Sequence, residues 1–146
     1  MIFIQVAVDP HLEGPALKIV RLILSTVLKS EGTTAAKVSL VFGSDELLAE
    51  LKKEYFHVDQ LTDVIAFRLN AKPGSVLEGE IYISLPRAQE NSHLFREPYA
   101  REVARLIIHG GLHLLNYSDS DPGGKKQMRS KEDNYLEQVA WDQLFN

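Results

Sequence analysis

The segment 98–115, PYAREVARLIIHGGLHLL, constrains the fold of this chain more than any other. Its apolar residues recur at helical spacing, a proline lies near its first turn, and it is apolar enough to be mostly buried as a helix. Gly110 and Gly111 lie inside it, although each glycine costs a helix about 1 kcal/mol relative to alanine. We therefore expect the backbone of this helix to approach a sheet or a substrate closely.

Strand-like and helix-like patterns alternate along the rest of the chain. Strands are predicted over 2–8, 37–42, 62–69 and 78–85, and further helices over 15–29, 46–55 and 127–145. Residues 70–75 form a turn-rich connection that suits a hairpin between the third and fourth strands, and residues 118–126 have the composition of a loop. Such a hairpin makes the sheet mixed, so the pattern indicates an α/β or α+β layered fold.

Length and composition limit what the chain can be. Its 146 residues fit one domain, without an internal repeat or a linker, and we predict a single domain over residues 1–146. The absence of cysteine excludes disulfide scaffolds, thiolate zinc ribbons and cysteine nucleophiles, so a metal ion must be bound through nitrogen and oxygen. The start lacks a basic leader and is interrupted by Asp9 and Pro10, which predicts a cytoplasmic protein.

A candidate metal site begins with two histidines of the apolar helix. His109 and His113 stand four residues apart, so both imidazoles project from one helix face and can reach one ion. Asn116 can adopt the left-handed conformation that ends a helix and turns the chain back, which brings Asp119 near that face. Two imidazoles and one carboxylate would leave a fourth position open, as in catalytic zinc sites. On spacing alone, two core or surface histidines beside a turn aspartate are an equal alternative.

The residue that follows His109 argues against one class of metal site. The helical metalloprotease signature has glutamate directly after its first histidine, where it acts as general base. Gly110 occupies that position here, which disfavours a peptidase of that type. The general base therefore stays unknown.

Four segments of the chain, in order and spacing, resemble the YbeY family of endoribonucleases. HGGLHLLNYSD resembles the family signature His-Gly-x-Leu-His-Leu-x-Gly-Tyr-Asp-His. LKKEYFHVDQLTDVIAF, GEIYIS and MRSKED resemble three further family motifs, and together the four cover about residues 51–133. Three positions depart from the family pattern. Phe56 stands in place of an arginine, Ala66 in place of a serine, and Asp119 in place of the third histidine.

The resemblance implies a zinc-dependent endoribonuclease specific for single strands, which matures the 3′ end of small-subunit rRNA and acts in ribosome biogenesis or quality control. The implied partners are single-stranded RNA, an rRNA precursor, and the ribosome or its small subunit, with no DNA and no membrane. Carried over by position, the ligands of one Zn²⁺ per chain are His109, His113 and Asp119. The implied fold is α+β, a small mixed four-stranded sheet flanked by helices, with the metal site on a central helix.

Two other functional classes stay open. One is a ribosome-associated RNA-binding module with a structural zinc and little catalysis, which the formal net charge of −4 favours slightly. The other is a hydrolase of small molecules. Loss of Arg at the Phe56 position leaves the phosphate-binding residues undefined, and we predict a structural role for Asp63. The basic candidates for phosphate contact are Arg101, Arg105, Lys125, Lys126 and Arg129.

Overall fold

Two strand–helix pairs open the chain in the computed structural model, which describes residues 1–70 and 76–145. Strand β1, Ile2–Val8, leads to helix α1, Leu17–Ser30, and strand β2, Ala36–Gly43, leads to helix α2, Asp45–Phe56. The hydroxyl of Ser44 caps α2 by accepting a hydrogen bond from the N–H of Leu47 at 3.2 Å.

The second half supplies the remaining strands and the helices that carry the site. These elements are β3 (Val64–Arg68), β4 (Leu77–Ser84), α3 (Leu85–Phe95), α4 (Tyr99–Leu114), α5 (Pro122–Gln138) and a 3-10 turn (Trp141–Gln143). The strands lie in the order β1-β2-β4-β3. β1 and β4 pair with β2 in parallel, and β3 pairs antiparallel with β4. The mixed four-stranded α+β fold is therefore confirmed, while the predicted turn at 71–75 lies outside the described residues.

Helix α4 crosses the buried face of the sheet, and its glycines explain how it comes so close. A Cβ built on Gly110 would lie 2.7 Å from Ile81 Cγ2 on β4, and one on Gly111 would lie 2.8 Å from Leu24 Cδ1 on α1. Both separations are shorter than a carbon–carbon contact allows. The two glycines let α4 approach the sheet on one side and α1 on the other, so the approach expected from the sequence is confirmed.

Two helices differ from the sequence-based prediction. Helix α3, in which Leu85, Ala88 and Ser92 are buried, was not predicted, because few of its eleven residues are apolar and recur at helical spacing. Helix α5 begins at Pro122, inside the predicted loop, and ends at Gln138 rather than continuing to residue 145. The carboxylate of Asp121 caps α5 by accepting from the N–H of Gly124 at 2.6 Å, which starts a helix in a segment whose glycines indicated a loop.

Within residues 1–70 and 76–145, no helix is long and apolar enough to cross a membrane.

A carboxylate beyond the end of α1 joins three parts of the fold. Glu31 accepts hydrogen bonds from the hydroxyls of Tyr117, at 2.6 Å, and Tyr135, and from Lys131 Nζ at 3.1 Å. Burial alone would raise the pKa of Glu31, but these hydrogen bonds outweigh it and hold the pKa below its usual value. Burial and the bond to Glu31 raise the pKa of Tyr135 to about 12. The cluster ties α1 to α5 and to the turn after α4.

We expect Glu31→Gln to lower the free energy of unfolding by about 1.5–3 kcal/mol at neutral pH, since the amide has no charge and keeps one of the two acceptor oxygens. The pKa of Glu31 is lower in the folded than in the unfolded protein, so its contribution is complete above the ordinary value of 4.5 and is lost as the pH falls through the folded value. Urea unfolding at a series of pH values measures this. The difference between wild type and variant should narrow below pH 4.5.

The exposed Glu50 on α2 offers a matched control, because Glu50→Gln removes a glutamate charge without such partners among the described residues. A wild-type advantage over Glu31→Gln that stays constant through the acidic range would contradict the prediction.

Candidate metal centre

His109 and His113 lie one turn apart on α4, and their Nε2 atoms converge. The two nitrogens are 3.0 Å apart, and the rings meet nearly edge to face with centroids 4.6 Å apart. Their side chains are 14% and 30% exposed, so both rings are packed yet reachable from solvent. Convergence of two ring nitrogens on one point is the geometry that two histidine ligands of one ion require.

A tight reversal after α4 carries Asp119 to the same point. Asn116 has a φ of 71°, in the left-handed region, and its N–H donates to the carbonyl of His113 at 3.0 Å. The N–H of Tyr117 donates to the carbonyl of Leu112 at 3.1 Å, which completes the helix end. Asp119 Oδ2 lies 3.5 Å from Nε2 of His109, and its Oδ1 lies 3.6 Å from Nε2 of His113.

These separations fit a tetrahedral ion. One ligand atom from each of His109, His113 and Asp119 lies within 4.8 Å of the other two. Two ligands at about 2.0–2.1 Å from a tetrahedral zinc are roughly 3.3 Å apart. The two Nε2 atoms are 3.0 Å apart, and each has a different oxygen of Asp119 near it, Oδ2 at 3.5 Å from His109 and Oδ1 at 3.6 Å from His113. Two nitrogens and an oxygen suit Zn²⁺ better than Mg²⁺, which prefers oxygen ligands. Asp121 is occupied as the cap of α5.

The pKa of His113 is lowered, mainly by burial and then by the neighbouring His109, although Asp119 and Glu132 act in the opposite direction. A lowered pKa favours the neutral imidazole near neutral pH. The neutral imidazole is the form that binds a metal ion.

A second layer of charged residues lies behind His109. Glu132 of α5 is 3% exposed, and its Oε2 lies 2.5 Å from Nδ1 of His109. Its other oxygen, Oε1, accepts from Arg105 Nη1 at 3.3 Å. Arg105 also donates to both oxygens of the buried Glu102, at 2.9 and 2.6 Å, and lies 4.0 Å from Asp63. The guanidinium therefore lies among three carboxylates.

Comparisons with known proteins show which family this chain belongs to. The family model described as endoribonuclease YbeY matches residues 9–140. A Salinibacter ruber protein named endoribonuclease YbeY is 36% identical over 126 residues, covering 82% of this chain and 80% of the relative. The chain belongs to the YbeY family. A Desulforamulus reducens YbeY is 36% identical over 144 residues, covering 93% and 92% of the two chains.

The solution structure of a Thermotoga maritima protein gives the same fold as this YbeY-family chain. Its TM-score is 0.66 and its sequence identity 26%, and the match covers 94% of this chain and 89% of the other. The resemblance stated from the sequence is thus confirmed at the level of family and fold.

Phe56, which stands where the YbeY family has arginine, lies in an aromatic cluster. Its ring stacks on Phe67 with centroids 5.8 Å apart, and Lys52 Nζ lies 4.8 Å above it. Ala66, in place of the family serine, pairs with Ile81 across β3 and β4.

Sequence reasoning did not identify the residues that lie behind the site. Glu132 was noted only as part of a family motif, and Arg105 was one of five candidates for phosphate contact. A signal was present, because Glu102, Arg105, His109 and His113 recur at spacings of three and four and so share one face of α4. Charged residues on the buried face of an apolar helix indicate partners inside the protein.

Proposed function

We propose that this chain is a zinc-dependent endoribonuclease that cleaves single-stranded RNA and acts in the cytoplasm, in 3′-end maturation of small-subunit rRNA and ribosome biogenesis. The proposal includes association with the ribosome or its small subunit, and His109, His113 and Asp119 as the three ligands of one Zn²⁺. The observation that carries it is the convergence of two Nε2 atoms and a carboxylate within 4.8 Å in a chain of the YbeY family.

The chemistry of the donor set supports an enzyme. Bound zinc supplies a Lewis acid that can stabilise charge on a scissile phosphate and increase the acidity of water. His109 and His113 present ring nitrogens from a rigid buried helix, and Asp119 adds a carboxylate from a half-exposed turn. Glu132 is buried and held by His109 and Arg105, so it is not free to act as general base toward RNA.

We expect about one tightly bound zinc per chain and RNA cleavage that stops when the metal is removed. Elemental analysis of protein purified without chelator measures the zinc content. Cleavage is measured with matched single-stranded RNA, double-stranded RNA and single-stranded DNA, before and after chelation and after zinc is restored.

Cleavage of the single-stranded RNA alone, restored by zinc, is the expected result. Full cleavage by metal-free protein would contradict a catalytic zinc. Stoichiometric zinc and RNA binding without cleavage would instead identify a binding module.

Three exposed basic residues lie on the first turns of α5, close in sequence to the proposed ligand Asp119. Lys125, Lys126 and Arg129 are exposed and have no ion-pair partner in the described part of the chain. They follow Asp119 by six to ten residues, on the helix that begins just after the proposed ligand. By contrast, Arg105 is enclosed by carboxylates and Arg101 pairs with Glu97 at 3.4 Å. We therefore restrict the proposed phosphate contacts to the three residues of α5.

Replacing Lys125, Lys126 and Arg129 with glutamine should lower the affinity for RNA. It should also make that affinity less dependent on the salt concentration. Each lost contact should flatten the log-log slope by about 0.7 for a single strand, because fewer counterions are released. Fluorescence anisotropy with a non-cleavable RNA at several salt concentrations measures the slope. Lys37→Gln, an exposed lysine of β2, is the control and should leave the slope unchanged. An unaltered slope in the triple variant would leave the α5 residues as solvated surface.

A further inference from the structure

Glu132 touches the back of the proposed ligand His109, on the side of the ring opposite the metal-facing nitrogen. Its Oε2 lies 2.5 Å from Nδ1, whereas Nε2 points toward His113 and Asp119. We propose that Glu132 is a positioning residue for the metal site, and that Arg105 and Glu102 hold it in that position. This inference rests on the proposed function, because it assumes that His109 binds an ion through Nε2.

The contact determines which nitrogen of His109 carries the proton. A carboxylate can only accept a hydrogen bond, so the neutral ring that faces Glu132 has its N–H at Nδ1. The lone pair is then at Nε2, which is the atom directed at the shared point. The same hydrogen bond fixes the ring orientation and makes Nε2 a more basic ligand for a metal ion.

Glu132 cannot easily leave this orientation, because each of its oxygens has a different partner. Oε2 contacts His109, and Oε1 accepts from Arg105 Nη1 at 3.3 Å. Arg105 is itself fixed by two hydrogen bonds to Glu102, which is 2% exposed. Two separate contacts on a buried carboxylate restrict its rotation more than one contact does.

The network continues from α4 to α3 and to the residue before β3. Asn91 Nδ2 lies 3.0 Å from Asp63 Oδ2 and 3.2 Å from Glu102 Oε2. Burial alone would lower the pKa of Arg105, but the bonds to Glu102 and the charges of Glu102, Glu132 and Asp63 raise it. The guanidinium therefore stays charged and keeps Glu132 paired. His109 is thus oriented by residues from four elements or their boundaries.

The two histidines differ in this respect. Nδ1 of His113 has no carboxylate partner in the part of the chain that the structure describes. His113 is instead hydrogen-bonded to the backbone of Tyr117, and its side chain is twice as exposed, 30% against 14%. Among the described residues, a carboxylate contact at Nδ1 is thus a feature of His109 and not of His113. Loss of Glu132 should therefore weaken metal binding through His109, without removing any ligand.

The experiment compares Glu132→Gln with Asp133→Asn, which neutralises the next residue on the exposed side of α5. Zinc affinity is measured by competition with a chromophoric chelator, and circular dichroism checks that each variant is folded. We expect Glu132→Gln to bind zinc about 10–100-fold more weakly and Asp133→Asn to bind as wild type. Glu132→Asp keeps the charge but has a shorter reach, and should recover part of the affinity.

A second measurement uses metal-free protein and separates positioning from metal binding. Long-range proton–nitrogen NMR of the histidine rings should show the Nδ1–H form of His109 in wild type and a mixture of forms in Glu132→Gln. An Nε2–H form in wild type, or unchanged affinity and ring form in Glu132→Gln, would overturn the positioning role. A wild-type protein that has the Nδ1–H form but binds no zinc would instead overturn the proposed metal site.

Discussion

Asp119→Ala should remove most of the bound zinc and most RNA cleavage while the fold is retained. The carboxylate is 43% exposed on a turn, so its loss leaves no buried partner unpaired. One of three proposed ligands disappears, and the affinity for zinc should fall by more than about 100-fold, since outer partners alone account for roughly 10–100-fold. Chelator competition measures the affinity, and thermal unfolding of the metal-free proteins tests the fold.

Two matched variants sharpen this prediction. Asp119→His places the residue common in the YbeY signature at the same position and should keep the zinc. Asp121→Ala removes the cap of α5 and should cost about 1 kcal/mol of stability while leaving zinc affinity nearly unchanged. Zinc lost from Asp121→Ala but kept by Asp119→Ala would show that the ligand register is wrong.

Arg105→Met should lower the free energy of unfolding by about 3–5 kcal/mol. Methionine has a similar length but no charge, so Glu102 and Glu132 would lose their cationic partner while being 2% and 3% exposed. Breaking a buried ion pair by removing one partner is costly because the remaining charge has little access to water. Urea unfolding of metal-free protein measures the loss without a contribution from zinc binding.

Arg101→Met is the matched control on the same helix. Arg101 pairs only with Glu97 in the described residues, with side chains 29% and 40% exposed, and such a pair is worth about 0–1 kcal/mol. If both variants lowered the free energy of unfolding by the same small amount, the buried network would contribute no more to stability than the exposed ion pair does.

The elements that the sequence predicts well are those with a strong apolar period. The four strands and helices α1, α2 and α4 were all predicted, with boundaries that differ by a few residues, because apolar residues recur in them at strand or helix spacing. Helix α3 has a weak stripe, and α5 begins with Pro122, Gly123 and Gly124, whose helical start depends on the Asp121 cap. Caps of this kind are decided by local hydrogen bonds that apolar patterns do not reveal.

Some residues of the candidate site could likewise be predicted from the sequence, and others could not. His109 and His113 follow from helical spacing, and the turn to Asp119 follows from the tolerance of asparagine for a positive φ at Asn116. Glu132 comes from another helix, 23 residues beyond His109, so no local spacing connects it to the ring. The pairing of Arg105 with carboxylates rather than phosphate likewise depends on how α4 packs against α5.

The proposed ligands belong to regions that should open on very different timescales. Amides of α4 around His109 and His113 lie in the core, so their hydrogen exchange should require global unfolding. Ser118 and Ser120 of the turn are exposed residues, and their amides should exchange through small local openings. The opening of this turn should therefore control the release of zinc from the proposed metal centre. Zinc should leave when Asp119 swings away from two imidazoles that stay in place, so its dissociation rate should follow the opening of the turn and hardly change with global stability.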